Sequence, residues 1–308
     1  MYSNISRRAF FKSSTAKTAA ALAGAGWLKN LANAVEPFQR AGDARFLLSV
    51  AAYSFRDYFK PNASGKEINL FQFIDFCAEQ GCQGVELTSY YFPQPVTEEF
   101  LLQIRRHCFL RGVEVSGTAC GNNFALPKGQ KLTEEIDLVK KWVDHAALMG
   151  APHIRVFAGS AAKGLTDAEA RKMCIGTLEE VSDYSGSKGI FLGLENHGGI
   201  VAKPEGLLEI VRAVKSPWLG INLDTGNFNT ADPYADLAQC APYAVNVQLK
   251  ASMRREGAKV AEASDFKRLF QILRDANYQG YVALEFEENE DPWKAIPPLV
   301  KKMKQFAA

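Results

Sequence analysis

Residues 190–199 read Ile-Phe-Leu-Gly-Leu-Glu-Asn-His-Gly-Gly. A short run, apolar apart from one glycine, stops abruptly on a carboxylate, an amide, an imidazole and two glycines. A strand apolar at nearly every position is buried on both faces, as in a parallel sheet covered by helices. The same figure recurs downstream. Gly220–Asp224 leads into Thr225-Gly226-Asn227, Ala244–Leu249 into Lys250, and Gly280–Phe286, with Glu285 inside it, into Glu287. Upstream, Leu47–Tyr53, Gly84–Thr88, Val113–Thr118 and His153–Phe157 read as strands of the same kind.

Between these runs lie longer amphipathic stretches. They are Ile68–Cys77, Thr97–Arg111, Glu134–Met149, Asp167–Lys188, Pro204–Lys215, Pro233–Cys240, Asp265–Ala276 and Trp293–Phe306. Gly81, Gly112, Gly150, Gly189 and Gly280 stand where helix C-caps favour glycine. Strict alternation of strand and helix argues for a parallel sheet. Residues 46–308 match the ~250 residues typical of a (β/α)8 barrel. The expected fold is a single-domain α/β TIM barrel. A doubly wound open sheet would place a Gly-x-Gly-x-x-Gly turn after the first strand. Ser54-Phe55-Arg56-Asp57-Tyr58 stands there, without glycine.

The start of the chain has a different character. Ser6-Arg7-Arg8-Ala9-Phe10-Phe11-Lys12 precedes an Ala/Gly/Leu-rich stretch from Thr18 to Leu28, and Ala32-Asn33-Ala34 follows. A basic region, a short apolar region and small residues form the order of a signal peptide. The paired arginines resemble the twin-arginine export signal, with Phe11 where leucine is usual. Residues 1–34 are therefore read as an address that sends the protein to the periplasm, and 35–45 as a polar lead-in. The apolar stretch is too short to span a bilayer, so no membrane partner is expected for the mature chain.

Lys and Arg total 36 against 34 Asp and Glu, a formal net charge of +2. A nucleic-acid partner would call for a clustered basic surplus, and none is expected. The six cysteines are scattered with no Cys-x-x-Cys, so most of them read as buried small hydrophobes rather than a disulfide framework.

The chemistry lies at the strand ends. Glu195, Asp224, Gln248 and Glu285 are spaced 29, 24 and 37 residues apart, about one strand–helix unit each. A lone carboxylate there would be costly to desolvate, and several converging would raise each other's pKa. A bound divalent cation relieves both problems, at the barrel face where active sites lie.

GLENHGG, NLDTGNF, VQLK and ALEFE, together with AAYSFRDYF, GVELTSYYF and HIRVFAG, resemble the strand-end motifs of the xylose-isomerase-like sugar isomerase and epimerase superfamily. That group includes tagatose and allulose epimerases, inosose dehydratase and endonuclease IV. The resemblance spans the chain after the address. It implies Glu195, Asp224, Gln248 and Glu285 as metal ligands, with Glu195 and Glu285 also as the acid–base pair. Histidine is common in the family where Gln248 stands. An all-oxygen ligand set favours Mn²⁺ or Mg²⁺, with Co²⁺ or Zn²⁺ as alternatives. Asn227 stands where some epimerases have histidine.

Glu86, Arg155, His197, Asn227, Lys250 and Tyr53 are candidates to bind substrate. Glu86 and Arg155 have the alternative of a structural ion pair, Lys250 of balancing the acids, and Tyr53, like Phe55, Tyr90 and Phe92, of packing. The expected substrate is a small sugar, the expected reaction a metal-assisted isomerisation or epimerisation through an enediolate. Elimination from a 3-keto-glycoside or keto-cyclitol, by a lyase or dehydratase, is the alternative. A multi-zinc nuclease would need more than the four histidines present, and a non-catalytic sugar-binding barrel is the remaining reading. A homo-oligomer is left open.

Overall fold

The computed structural model describes residues 35–60 and 65–307. The proposed address, residues 1–34, lies outside them.

Eight parallel strands close into a barrel: β1 (Arg45–Ala51), β2 (Gly84–Thr88), β3 (Glu114–Ala119), β4 (His153–Phe157), β5 (Phe191–Glu195), β6 (Leu219–Asp224), β7 (Ala244–Lys250) and β8 (Gln279–Glu285). Each is hydrogen-bonded to its sequence neighbours, and β1 closes the ring on β8 with Arg45 opposite Gln279 through Val50 opposite Leu284. The expected (β/α)8 barrel is the observed fold. β2 and β4 have the bounds read from sequence; the other strands shift by one or two residues at one or both ends. β1 stops at Ala51, and Ala52–Phe55 turn as a 3-10 helix that carries Tyr53 onto the rim.

The helices are α1 (Leu70–Glu79), α2 (Glu98–Arg111), α3 (Gln130–Met149), α4 (Asp167–Ser187), α5 (Pro204–Ala213), α6 (Pro233–Cys240), α7 (Phe266–Asp275) and α8 (Pro292–Ala307). Their starts follow local chemistry. Asn69 with Gln72 and Thr166 with Glu169 form reciprocal capping boxes, and Thr97, Asp232 and Asp265 cap α2, α6 and α7 through their side-chain oxygens. Gly112 and Gly150 take the left-handed conformation that ends α2 and α3. Gly280 does not cap a helix. It lies inside β8, and Asn277 (φ 51°) makes the left-handed turn after α7 instead. Asparagine is among the few non-glycine residues that visit that region routinely, and here its side chain is held by a long-range bond, Nδ2 donating to Arg40 O at 3.0 Å.

The stretch before β1 is more than a polar lead-in. Val35 is buried and its N–H donates to Val214 O at 3.1 Å; Phe38 N–H donates to Pro242 O at 3.0 Å and its ring meets Phe191 edge-on. Arg40 lies over the Phe38 and Tyr278 rings and donates to Ala244 O at 2.5 Å. This segment covers the end of the barrel where the strands begin and leaves the opposite end open. All six cysteines are buried and free, as read. Among the described residues no helix is long and apolar enough to cross a membrane.

Candidate active site

Side chains alternate along a strand, so β7 turns Asn246, Gln248 and Lys250 inward and β6 turns Asn222 and Asp224 inward. The lower of these form a closed polar floor. Asn246 Nδ2 donates to Glu86 Oε2 and to Asn222 Oδ1, each at 2.7 Å; Gln248 Nε2 donates to Glu86 Oε1 at 2.7 Å; Asn222 Nδ2 donates to Gln248 Oε1 at 2.6 Å. Glu86 is fully buried. Burial, and secondarily the charge of Glu285, push its carboxyl up to about 7 against the pull of the two amides and Arg155.

One layer higher, Lys250 Nζ lies 2.5 Å from Glu285 Oε2, 2.8 Å from Glu287 Oε2 and 3.3 Å from Asp224 Oδ2. Burial alone would lower the lysine pKa, but the three carboxylates outweigh it and hold the ammonium well above its ordinary value. Asp224 is completely buried. Its Oδ1 accepts from Gly226 N–H at 2.8 Å, while Oδ2 has no hydrogen bond. Burial, opposed by Lys250, raises its pKa to about 7. Asn196 fixes the strand that carries it, donating to Asp224 O and accepting from Asp224 N–H at 2.8 Å each.

Across the mouth, Glu195 is held at both oxygens. Asn227 Nδ2 donates to Oε1 at 3.0 Å, and Arg155 Nε is 2.9 Å from Oε2. Arg155 is itself anchored by donating to Cys120 O at 3.1 Å, with its guanidinium 3.9 Å above the Phe157 ring centroid. Burial pushes the Glu195 carboxyl well above the carboxylate range despite Arg155. His197 tilts against Phe157, and burial, then Arg155, lower its pKa.

These groups surround a cavity of 260 Å³ whose lining includes Tyr53, Tyr90, Arg155, Glu195, His197, Asn227, Lys250, Glu285 and Glu287. A larger groove of 640 Å³ lies outside the barrel between α3 and α4, edged by Leu132, Ile136 and Met173, and reaches none of the strand-end residues.

The structure thus gathers Tyr53, Arg155, Glu195, His197, Asn227, Lys250 and Glu285 around one cavity. Asp224 and Gln248 lie just beneath, outside its lining, and Glu86 is deeper still, facing the floor amides rather than the cavity. Arg155 pairs with Glu195, not with Glu86. Tyr90 joins Tyr53 on the rim, whereas Phe55 and Phe92 are core residues. Asn222, Asn246 and Asn196 were not singled out from sequence. The signal was present for the first two: polar residues two positions before Asp224 and Gln248 share their inward face. Glu287 had no such signal, because it follows the strand on a loop.

Four buried carboxylates, those of Glu86, Glu195, Asp224 and Glu285, share this interior with two buried cations, Arg155 and Lys250. That surplus of carboxyl groups over cations, an Asp224 Oδ2 that meets the Lys250 ammonium at 3.3 Å without accepting a hydrogen bond, and a Gln248 Oε1 with a lone pair to spare fit a hard divalent cation. As placed, no three His, Cys, Asp or Glu side chains among the described residues stand close enough to hold one ion. Lys250 Nζ is wedged between Asp224 and Glu285, so the donor set fits an ion only when that ammonium gives way.

Residues 74–303 match the family model for the xylose isomerase-like TIM barrel. The chain belongs to the xylose isomerase-like TIM barrel family. It is 25 % identical over 175 residues to a putative hydroxypyruvate isomerase of Xenopus laevis, covering 53 % of this chain and 64 % of that protein. It spans less than two thirds of the length of the curated relatives it matches. Among solved structures it resembles D-psicose 3-epimerase crystallised in the presence of D-fructose, with TM-score 0.67, 16 % identity, and 83 % and 89 % of the two chains covered. It also resembles the IOLI protein with a bound zinc atom, with TM-score 0.66, 16 % identity, and 84 % and 96 % covered. These structural likenesses are of fold.

Proposed function

We propose that this chain is a divalent-metal-dependent sugar isomerase or epimerase that moves a proton next to a carbonyl. The observation that carries the reading is the pairing of two buried glutamates, Glu195 and Glu285, on opposite sides of one cavity above an oxygen-rich floor. The psicose epimerase and the zinc-bound protein of the same fold support the substrate class and the metal.

Glu195, Asp224, Gln248 and Glu285 would hold the ion, and their all-oxygen set favours Mn²⁺ or Mg²⁺. The bound ion would supply Lewis-acid polarisation of a carbonyl oxygen. The remaining roles belong to the chain itself. Arg155 and Asn227 fix both oxygens of Glu195, so its carboxylate meets a substrate carbon in one orientation. A glutamate whose pKa is raised by burial is a stronger base once ionised and a useful acid once protonated. Glu285, at the end of β8, serves the other side. Tyr53 and Tyr90 give the rim an aromatic surface for a sugar face, and His197 and Asn227 offer hydrogen bonds to its hydroxyls. The twin-arginine reading of residues 6–12 makes the periplasm the proposed compartment.

The test is deuterium incorporation next to the carbonyl of a panel of ketohexoses in D₂O with Mn²⁺, read by NMR. Wild type should exchange deuterium in. Glu195→Gln and Glu285→Gln should each stop exchange while circular dichroism stays unchanged. Full exchange in either variant would remove that residue from the acid–base pair.

A further inference from the structure

Glu86, Asn246, Asn222 and Gln248 close a ring of four hydrogen bonds beneath the cavity. Glu86 accepts at both oxygens, Oε2 from Asn246 Nδ2 and Oε1 from Gln248 Nε2, each at 2.7 Å. Asn246 Nδ2 also donates to Asn222 Oδ1 at 2.7 Å, and Asn222 Nδ2 donates to Gln248 Oε1 at 2.6 Å, which completes the ring. All four residues are at most 1 % exposed.

Glu86 reaches these amides across the barrel interior, because β1 and β8 stand between its strand β2 and β7. At this level the intervening strands carry small residues. Ala51 is in register with Glu86, Ala283 with Gln248, and Ser49 with Ala283. Their short side chains leave the carboxylate a path. Arg155 is committed to Glu195 and Lys250 to Glu285, so the hydrogen bonds to Glu86 come from neutral amides. A buried carboxylate held in this way is a costly means of fastening a floor, and an apolar layer of the same shape would serve as well or better.

What the carboxylate adds is direction. An ionised carboxylate only accepts, whereas a primary amide accepts at one end and donates at the other. Gln248 and Asn246 must therefore each turn an NH2 toward Glu86. Asn222 must then turn its oxygen to Asn246 and its nitrogen to Gln248. The Gln248 oxygen is left facing β6, the strand that holds Asp224 opposite Gln248 in register. An amide at position 86 would have one donor end, and at least one pair of like groups would then meet, whichever way Gln248 is turned. We infer that Glu86 is a positioning residue: it sets the amide orientation of Gln248, so that oxygen and not nitrogen is presented to a divalent cation at the barrel mouth. This rests on the proposed metal site, and it gives Glu86, which does not line the cavity, the task of orienting one of the ligands.

Mn²⁺ binding by calorimetry at pH 8 tests it, with the fold of each variant followed by circular dichroism. Glu86→Gln should weaken Mn²⁺ binding about 10–100-fold, the usual cost of losing a group that orients a metal ligand. Adding Gln248→Glu to that variant exchanges carboxylate and amide at the same total charge and allows all four bonds again, so the affinity should return to at least the wild-type value. Asn222→Asp separates orientation from charge. Its new carboxylate adds an anion but faces the Gln248 oxygen, so binding should weaken, whereas a purely electrostatic role of the floor would strengthen it. The double variant and Asn222→Asp decide the matter even where Glu86→Gln alone fails to fold. Unchanged affinity in Glu86→Gln, no recovery in the double variant, or tighter binding in Asn222→Asp would overturn the positioning role and leave the metal site standing. A wild-type protein that binds no Mn²⁺ would overturn the metal site and this inference with it.

Discussion

Lys250 Nζ and Glu285 Oε2 are 2.5 Å apart, and the two residues are direct partners across the adjacent strands β7 and β8. The pair is fixed by backbone register, so the ammonium is delivered to the centre of the acidic cluster whenever the barrel closes. In the absence of an ion this lysine is the cluster's own counter-charge.

Replacing it tests that role. Lys250→Met should cost the metal-free protein roughly 3–5 kcal/mol, the usual penalty for removing one member of a buried ion pair. The same variant should bind Mn²⁺ at least tenfold tighter by calorimetry at pH 8, because the ammonium no longer competes for Asp224 and Glu285. Weaker Mn²⁺ binding in Lys250→Met would show that the lysine supports the ion instead of sharing its place.

His153 in β4 should give the protein an acid-side weakness. Burial, partly offset by a hydrogen bond with the Ser116 backbone, lowers its pKa to about 4, against ~6.5 in the unfolded chain. Below pH ~6.5 the unfolded chain takes up a proton that the folded protein refuses until about 4. The stability from neutral burial is thus complete above ~6.5 and lost as the pH falls toward 4. At ~1.4 kcal/mol per tenfold change in proton affinity the loss is ~3 kcal/mol. The raised carboxyl of Glu86 slopes the other way, so the informative quantity is the difference between wild type and His153→Gln in Tm from pH 4 to 7. The variant should lack this acid-side decline; parallel profiles would contradict it.

Two glycine substitutions should move stability in opposite directions. At Gly226 a Cβ would meet Lys250 Cγ at 2.6 Å and the Ser252 carbonyl oxygen at 3.1 Å, so Gly226→Ala should destabilise by ~1–3 kcal/mol through overpacking. Gly176 lies within α4 with nothing within 4 Å of its Cβ position, so Gly176→Ala should stabilise by ~0.5–1 kcal/mol. Scanning calorimetry reads both; equal shifts would refute the packing argument.

The six thiols should be inert in the native protein. Each is buried, and burial pushes Cys82 up to about 11 and Cys108, Cys120, Cys174 and Cys240 up to about 12. The thiolate is the reactive form, so a thiol reagent at pH 8 should label none within minutes and all six after denaturation. Rapid native labelling at any one would contradict its burial.

The alternation of apolar runs with amphipathic stretches determined the barrel, since each strand had to be covered on both faces and each helix on one. The ends of those runs, at Glu195, Asp224, Gln248 and Glu285, were legible because a strand's last inward residue faces the mouth wherever the sheet closes. Only the tertiary structure decided what these side chains touch. Glu86 and Gln248 are 162 positions apart and meet as partners in the floor, and Arg155 chooses Glu195 over Glu86. The physical reason is closure: local patterning sets which way a side chain points, but the bending of eight strands into a ring sets which opposing group, and how much water, it finds there.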